Sequence, residues 1–161
     1  MTTPLVGIIM GSKNDWDVMQ HASTALSELD VPHEGKVISA HRTPARHHDY
    51  VTRASERGLK VLIAGAGMAA HLAGVTAALT HLPVFGVPLK GGLMDGMDSL
   101  LATVQMPGGI PVGTLAVGKA GAKNAALLAC AVLALSDEEL TKRLIDYRAR
   151  MTAAVPESPQ G

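Results

Sequence analysis

A histidine and an arginine stand side by side in the segment SAHRTP, residues 39–44 of the 161-residue chain. An imidazole titrates near neutral pH, so His41 can both donate and accept a proton within one reaction cycle. The guanidinium of Arg42 is always charged and binds a phosphate or carboxylate through two parallel hydrogen bonds. Taken alone, His41 could equally be a structural histidine bonded to the backbone. Together, the two residues predict a site where an anion is held while a proton moves.

Residues 11–15, GSKND, form a second candidate turn at the start of a predicted helix. Free backbone N–H groups there can bind an anion, and Asp15 can accept hydrogen bonds from sugar hydroxyls. An ordinary helix N-cap made by Ser12, Asn14 or Asp15 is the alternative interpretation.

Residues 65–71, GAGMAAH, form a glycine-rich turn that matches the G-x-G-x-x-G/A pattern of dinucleotide sites. A nicotinamide site would also need an acidic residue about twenty positions later, and the next strand supplies no carboxylate before Asp95. The pattern therefore predicts only a turn whose backbone a ligand can approach closely. His71 is expected in the first turn of the following helix, facing the same edge as the other two turns.

The remaining histidines and the single cysteine are predicted to have no chemical role. His47 and His48 share a helix with Asp49 and are expected to be solvated. Three more histidines have no carboxylate or thiol at metal-ligand spacing: His21, His33 and His81. No metal site is therefore predicted. Cys130 lies in an apolar helical run, which favours a buried thiol over a nucleophile.

The elements that must position these turns are read from apolar runs that alternate with helical patterns. Strands are predicted at 5–10, 36–40, 60–65, 84–89 and 111–118. Helices are predicted at 16–29, at 44–57 with Thr43 as cap, up to Thr80, within 94–105, and at 122–135 and 137–153. This order predicts a three-layer α/β/α sandwich with a parallel, flavodoxin-like central sheet of about five strands. One domain is expected over residues 1–155, with a disordered tail at 156–161. Ligands of such sheets bind outside the carboxyl ends of the strands, which is where all three turns would lie.

Charge and composition argue against several classes of partner. Fourteen Lys and Arg balance fourteen Asp and Glu, and the aromatic residues are few and scattered, so neither nucleic acid nor an anionic membrane is expected as a partner. The single cysteine and the lack of a signal-like N-terminus favour a cytoplasmic protein. The longest apolar run, residues 125–135, is about half of what a membrane span needs. It predicts a helix covered on nearly all sides, in part by another subunit.

Five segments of the chain resemble, in order and spacing, the class I N5-carboxyaminoimidazole ribonucleotide mutases of the PurE family. These segments are MGSKNDW, SAHRTP, GAGMAAHLAG, GVPL and DSLLATVQMPGGIPVGTLAVGKAGAKNAALLA. The resemblance covers essentially the whole chain to about Ile145.

The resemblance implies that a carboxyl group moves from the exocyclic nitrogen to ring carbon C4 of a phosphoribosyl aminoimidazole, in de novo purine biosynthesis. It implies no ATP, metal or organic cofactor, and a homo-octamer with sites at subunit contacts. His41 would be the general acid and base. The implied substrate-binding residues are Ser12 and Asp15 for the ribose phosphate, Ser39, Arg42 and Asn14 for the phosphate, Gly65, Ala66, Gly67, Met68 and Ala69 for the imidazole and its carboxylate, and His71 for the CO2 pocket. The segment 105–109 is a candidate cover.

Three positions depart from the family pattern, which has serine, glycine and proline where this chain has Asn14, Met68 and Ala73. Asn14 can still donate to a phosphate, whereas Met68 changes the shape of the turn that faces the base. Two alternatives stay open. A class II carboxylase would use CO2 directly, but the sequence Arg-Thr-Pro after His41 is typical of the mutases. A non-catalytic module that binds FMN or another nucleotide is disfavoured by the scarcity of aromatic residues.

Overall fold

The strands of the computed structural model, which describes residues 3–159, form one parallel sheet. They are β1 (Val6–Met10), β2 (His33–Val37), β3 (Val61–Gly67), β4 (Val84–Leu89) and β5 (Gly113–Thr114). Their order is β2-β1-β3-β4-β5, and each neighbouring pair is parallel. The strand order therefore reverses at β1, where flavodoxin-like sheets bind their ligands. The predicted fold class is confirmed.

Helices cover both faces of the sheet. They are α1 (Trp16–Glu28), α2 (Pro44–Thr52), α3 (Leu72–Leu79), α4 (Met97–Val104), α5 (Lys119–Ala134) and α6 (Glu138–Ala153). Helices α1, α5 and α6 share one apolar cluster with the sheet, and α2 and α3 share a second cluster on the other face. In the described part of the chain, no helix has both the length and the apolar character that a membrane span requires.

The central strands were predictable because they are buried on both faces. Along β1, Val6, Ile8 and Met10 pack toward α1 and α5, whereas Ile9 packs toward α2. Strands β1 and β4 are buried along their whole length. A parallel strand between two helix layers reads as a continuous apolar run, and these runs match the predicted positions closely.

The edge strand β2 lies three residues earlier than predicted, because its sequence does not look like a strand. Gly35 and Lys36 lie inside it and are exposed, and Gly35 pairs with Ile8 of β1. The ring of Trp16 lies over Gly35, since a Cβ built there would meet the ring at 3.2 Å. An edge strand tolerates glycine, and here an aromatic ring supplies the missing cover.

Other boundaries also differ from the prediction. Strand β5 has two residues rather than the expected eight. Helix α2 ends at Thr52, and turns lead from there to Gly58, which has a φ of +93°. Helix α5 begins three residues early, directly after Gly118. The domain boundary at 155 and the disordered tail stay predictions; residues 1, 2, 160 and 161 lie outside the described part of the chain.

In the described residues, helix α5 packs against the sheet, α1 and α6, and part of its surface stays exposed. Its buried stripe, which includes Ala125, Ala129 and Cys130, faces the sheet and α1, whereas Leu128 is 41% exposed and Leu135 is 88% exposed. Burial raises the pKa of the Cys130 thiol to about 11, so the predicted buried thiol is confirmed. The cover of this helix by another subunit stays a prediction.

Gly121, in the first turn of α5, permits a close crossing with the main chain of the segment that follows β5. A Cβ built on Gly121 would collide with the carbonyl oxygen of Ala116, which is main chain and cannot rotate away. This crossing lies in the connection between β5 and α5 and holds it against the first turn of the helix.

We expect Gly121→Ala to lower the free energy of unfolding by about 1–3 kcal/mol, because overpacking costs that much in a close-packed interior. Helix propensity alone would make the alanine variant more stable by about 1 kcal/mol. A fall in the free energy of unfolding would therefore show that the close crossing, and not helix propensity, decides the effect. The matched control is Gly108→Ala, where a Cβ meets nothing within 4 Å. Thermal unfolding of both variants checks this, and a Gly121→Ala variant as stable as the parent would contradict the crossing.

Candidate active site

The three turns singled out in the sequence lie together at the carboxyl ends of β1, β2 and β3. These strands are neighbours, with β1 in the middle. Arg42 Nη2 donates to the carbonyl oxygen of Gly11 at 2.5 Å, which joins the turn at 39–44 to the turn at 11–15. His41 Nε2 and His71 Nδ1 lie 2.9 Å apart, which joins the turn at 39–44 to the turn at 65–71. The convergence expected from the strand pattern is therefore present.

The turn that carries His41 is closed by Ser39 and Thr43. The N–H and the hydroxyl of Thr43 both donate to the Ser39 carbonyl at 2.9 Å, and the Ser39 N–H donates to the Thr43 hydroxyl oxygen at 2.9 Å. The Arg42 N–H donates to Ser39 Oγ at 3.0 Å. Thr43 occupies the N-cap position of α2, as predicted. Its hydroxyl makes no capping hydrogen bond to the helix and closes the turn instead. The Ser39 hydroxyl can still donate its own hydrogen to a ligand.

His41 and His71 form a coupled pair. Their rings meet edge to face, with centroids 4.9 Å apart and planes at 88°, and both side chains are exposed. One of the two bonded nitrogens must carry the hydrogen and the other must accept it. When both rings are neutral, one outer nitrogen is therefore bare and the other is protonated. The pair presents a base at one end and an acid at the other, and proton shifts exchange the two ends.

The turn at residues 11–15 is a capping box. Ser12 Oγ accepts from the Asn14 N–H at 3.3 Å, and Asp15 Oδ2 accepts from the Ser12 N–H at 2.9 Å. The N-cap alternative is thus realised for Ser12 and Asp15, and their contact with a ligand stays a prediction. Burial raises the pKa of Asp15, and the Ser12 hydrogen bond and the Arg42 charge offset this only in part.

The glycine-rich turn has packing reasons for part of its composition. Gly65 is buried in β3, and a Cβ there would collide with the Met19 side chain of α1. Gly67 and Ala66 are half-buried, and Ala69 is exposed at the strand end. Met68 has a φ of +53° and is 62% exposed. Because a side chain is strained in this left-handed region, glycine is the residue expected there.

The prediction that His47 is solvated was wrong. His47 is 2% exposed, and its Nε2 lies 2.8 Å from Thr76 Oγ1 on α3. It shares the buried face of α2 with Tyr50 and Val51, three and four residues later. That spacing was a usable signal, whereas Thr76 was not identifiable without the fold. His48, on the other side of α2, is exposed as predicted.

The predicted cover segment lies beside α3. A Cβ on Gly74 would meet the sulfur of Met106 at 3.0 Å, so residue 106 packs one helical turn beyond His71. In residues 3–159 no three His, Cys, Asp or Glu side chains are grouped so that they could hold a metal ion.

The chain was compared with known proteins. The sequence profile of the family described as AIR carboxylase matches residues 5–154. The N5-carboxyaminoimidazole ribonucleotide mutase of Bacillus subtilis is 57% identical over 155 residues, which cover 96% of each chain. The mutase of the same name from Escherichia coli K12 is 54% identical over 154 residues, covering 96% of this chain and 91% of that protein. A crystal structure of Treponema denticola PurE superposes with a TM-score of 0.83 at 24% identity, covering 93% and 92% of the two chains, which supports the fold.

The raised pKa of Asp15 predicts that the ionised carboxylate of this residue destabilises the folded chain. Because the folded chain holds the Asp15 proton more tightly than the unfolded chain does, stability falls as pH rises from the ordinary pKa of 3.8 to the raised folded value. We expect Asp15→Asn to abolish this loss, so the variant gains stability over the parent as pH increases through that window. Urea unfolding across the acid range measures this, with the exposed neighbour Asp17→Asn as control. A difference in stability between variant and parent that stays constant across this window would refute it.

Proposed function

This chain belongs to the AIR carboxylase family, and on that premise we propose that it is an N5-carboxyaminoimidazole ribonucleotide mutase, an isomerase of purine biosynthesis. The observation that carries the proposal is 57% identity to the Bacillus subtilis mutase over 96% of both chains. Curated relatives from Brucella melitensis and Pseudomonas aeruginosa, at 56% and 52% identity, carry the same name. The cytoplasmic location expected from the sequence is part of this proposal.

The reaction needs one group that gives a proton and later takes one back. His41 protonates the carbamate nitrogen, the C–N bond breaks, and CO2 and an aminoimidazole are released. C4 then attacks CO2, a C–C bond forms, and the C4 hydrogen leaves as a proton to His41. The 2.9 Å bond to His71 supports this role, because the pair holds an acid and a base at the same time.

The ribose phosphate is held by the turns that follow β1 and β2. Arg42 provides the fixed positive charge for the phosphate, with Ser39 and Asn14 as further donors. Its hydrogen bond to the Gly11 carbonyl directs the guanidinium toward the turn at residues 11–15. Ser12 and Asp15 bind the ribose portion, and Asp15 accepts hydrogen bonds from the hydroxyls. The backbone at residues 65–69 faces the imidazole.

The released CO2 must be kept against C4, and this requires a closed site. Holding it there makes recombination effectively unimolecular, and excluding water prevents loss of the intermediate. In the single chain the edge is open, since His41, Arg42, Met68 and His71 are all exposed. Segment 105–109, which already contacts α3 through Met106, is one cover. A second copy of the chain is the other.

The proposal includes a homo-octamer. The face between α5 and α6 forms an open groove of about 890 Å³ whose lining includes Leu128, Leu135 and Ile145. Ile145 is 62% exposed, and a second apolar stripe on α4 contains Leu101 and Val104. Exposed apolar faces of this kind mark interfaces.

We expect His41→Ala to lower kcat by at least about 100-fold, because general acid and base catalysis contributes that much. Product should still bind, since the phosphate and ribose contacts lie on other residues. Turnover is followed with the N5-carboxylated substrate, and with aminoimidazole ribonucleotide plus limiting bicarbonate as the rival substrate. His48→Ala is the control on the exposed side of α2. Wild-type turnover in His41→Ala would remove His41 from the mechanism, and faster use of the rival substrate would favour the carboxylase.

We expect the wild-type chain to sediment as an octamer and Leu128→Glu/Ile145→Glu to sediment as smaller species, because two charges would be buried in the groove. Ser27→Glu, on the exposed side of α1, is the control and should leave sedimentation unchanged. A wild-type chain that sediments only as a monomer would contradict this part of the proposal.

A further inference from the structure

A buried hydrogen-bonded pair joins the two helices that begin at the catalytic edge. His47 of α2 lies 2.8 Å from Thr76 of α3, and Thr76 donates its hydroxyl hydrogen to the Leu72 carbonyl at 2.7 Å. A threonine hydroxyl has a single hydrogen, so its oxygen must accept from His47. The structure thereby assigns the His47 hydrogen to Nε2. Burial lowers the pKa of His47, and the charge of His48 adds to this, which agrees with a neutral ring.

Each end of this pair is one step from a catalytic-edge histidine. The N–H of His47 donates to the Thr43 carbonyl at 3.0 Å, and Thr43 closes the turn that carries His41. At the other end, Leu72 directly follows His71 in the chain. A path made of these hydrogen bonds and of the covalent chain of His47 and Leu72 therefore connects one histidine turn to the other.

On the basis of the proposed function, we propose that His47 and Thr76 are positioning residues that set the distance between His41 and His71. Within residues 3–159, theirs is the one side-chain hydrogen bond between α2 and α3, and both helices also contribute side chains to one apolar cluster. Apolar contacts are non-directional and permit small sliding of one helix past another. A buried hydrogen bond is satisfied in one arrangement only, so it selects a single register. Neither residue touches the substrate.

The position of the pair explains why kcat, rather than substrate binding, depends on it. Asp15 follows β1 and Arg42 follows β2, and neither is carried by α3. A shift of α3 would move His71 and the short connection between β3 and α3, while leaving the paired strand β3 and the phosphate and ribose groups in place. A displacement of about 1 Å at a reacting geometry can cost about 100-fold in rate.

The test replaces both polar groups by apolar ones of similar shape in His47→Leu/Thr76→Val, which leaves no unpaired group in the interior. We expect the octamer and thermal midpoint to be kept, kcat to fall about tenfold, and KM to stay within about twofold. His47→Gln keeps a donor facing Thr76 and should recover most of kcat. His48→Leu makes a similar change on the exposed side of α2 and should have no effect.

A crystal structure of the double variant gives a readout that does not depend on activity. We expect the His41 Nε2 to His71 Nδ1 separation to exceed the 2.9 Å of the parent and to lose hydrogen-bond geometry. An unchanged separation overturns the positioning role whatever the activity, and so does an unchanged kcat. If the parent chain has no mutase activity, the proposed function fails, while the measured separation still decides the role of the pair.

Discussion

The site depends on the parallel pairing of β1 with both β2 and β3. This pairing places three consecutive strand ends at one edge, so residues 30 positions apart in the chain come within hydrogen-bond distance. The candidate site then needs little further structure. One guanidinium-to-carbonyl bond and one imidazole-to-imidazole bond connect the three turns, and the closed Ser39–Thr43 turn holds the residues between them.

The sequence was informative where burial is symmetrical and local patterns decide the conformation. Strands β1 and β4, buried on both faces, were predicted nearly to the residue. Strand β2 was displaced because an edge strand with Gly35 and Lys36 has no apolar run to reveal it. His47 was misjudged because its partner, Thr76, is 29 residues away and is brought near only by the fold. The family resemblance supplied candidate site residues, whose roles stay predictions, but it did not supply the contacts that hold them.

The polar groups at this edge have two different relations to stability. Ser39 and Thr43 satisfy each other and stabilise their turn, whereas Asp15 is held partly out of water and resists ionisation there. Met68 adds a second cost, since its left-handed backbone suits glycine better. The edge thus combines a rigid turn with residues kept in unfavourable states. The surrounding apolar clusters on both faces of the sheet supply the stability that permits this.

Cys130 is the only cysteine of the chain, fully buried, with its pKa raised to about 11. The buried thiol is almost entirely protonated at neutral pH, so maleimide and other thiol-directed dyes meet no competing reactive thiol on the native protein. The chain is therefore a natural background for single-site fluorescent labelling. One introduced cysteine in segment 105–109 would carry a dye alone, and the opening and closing of that segment could be followed in real time without first removing the native thiol.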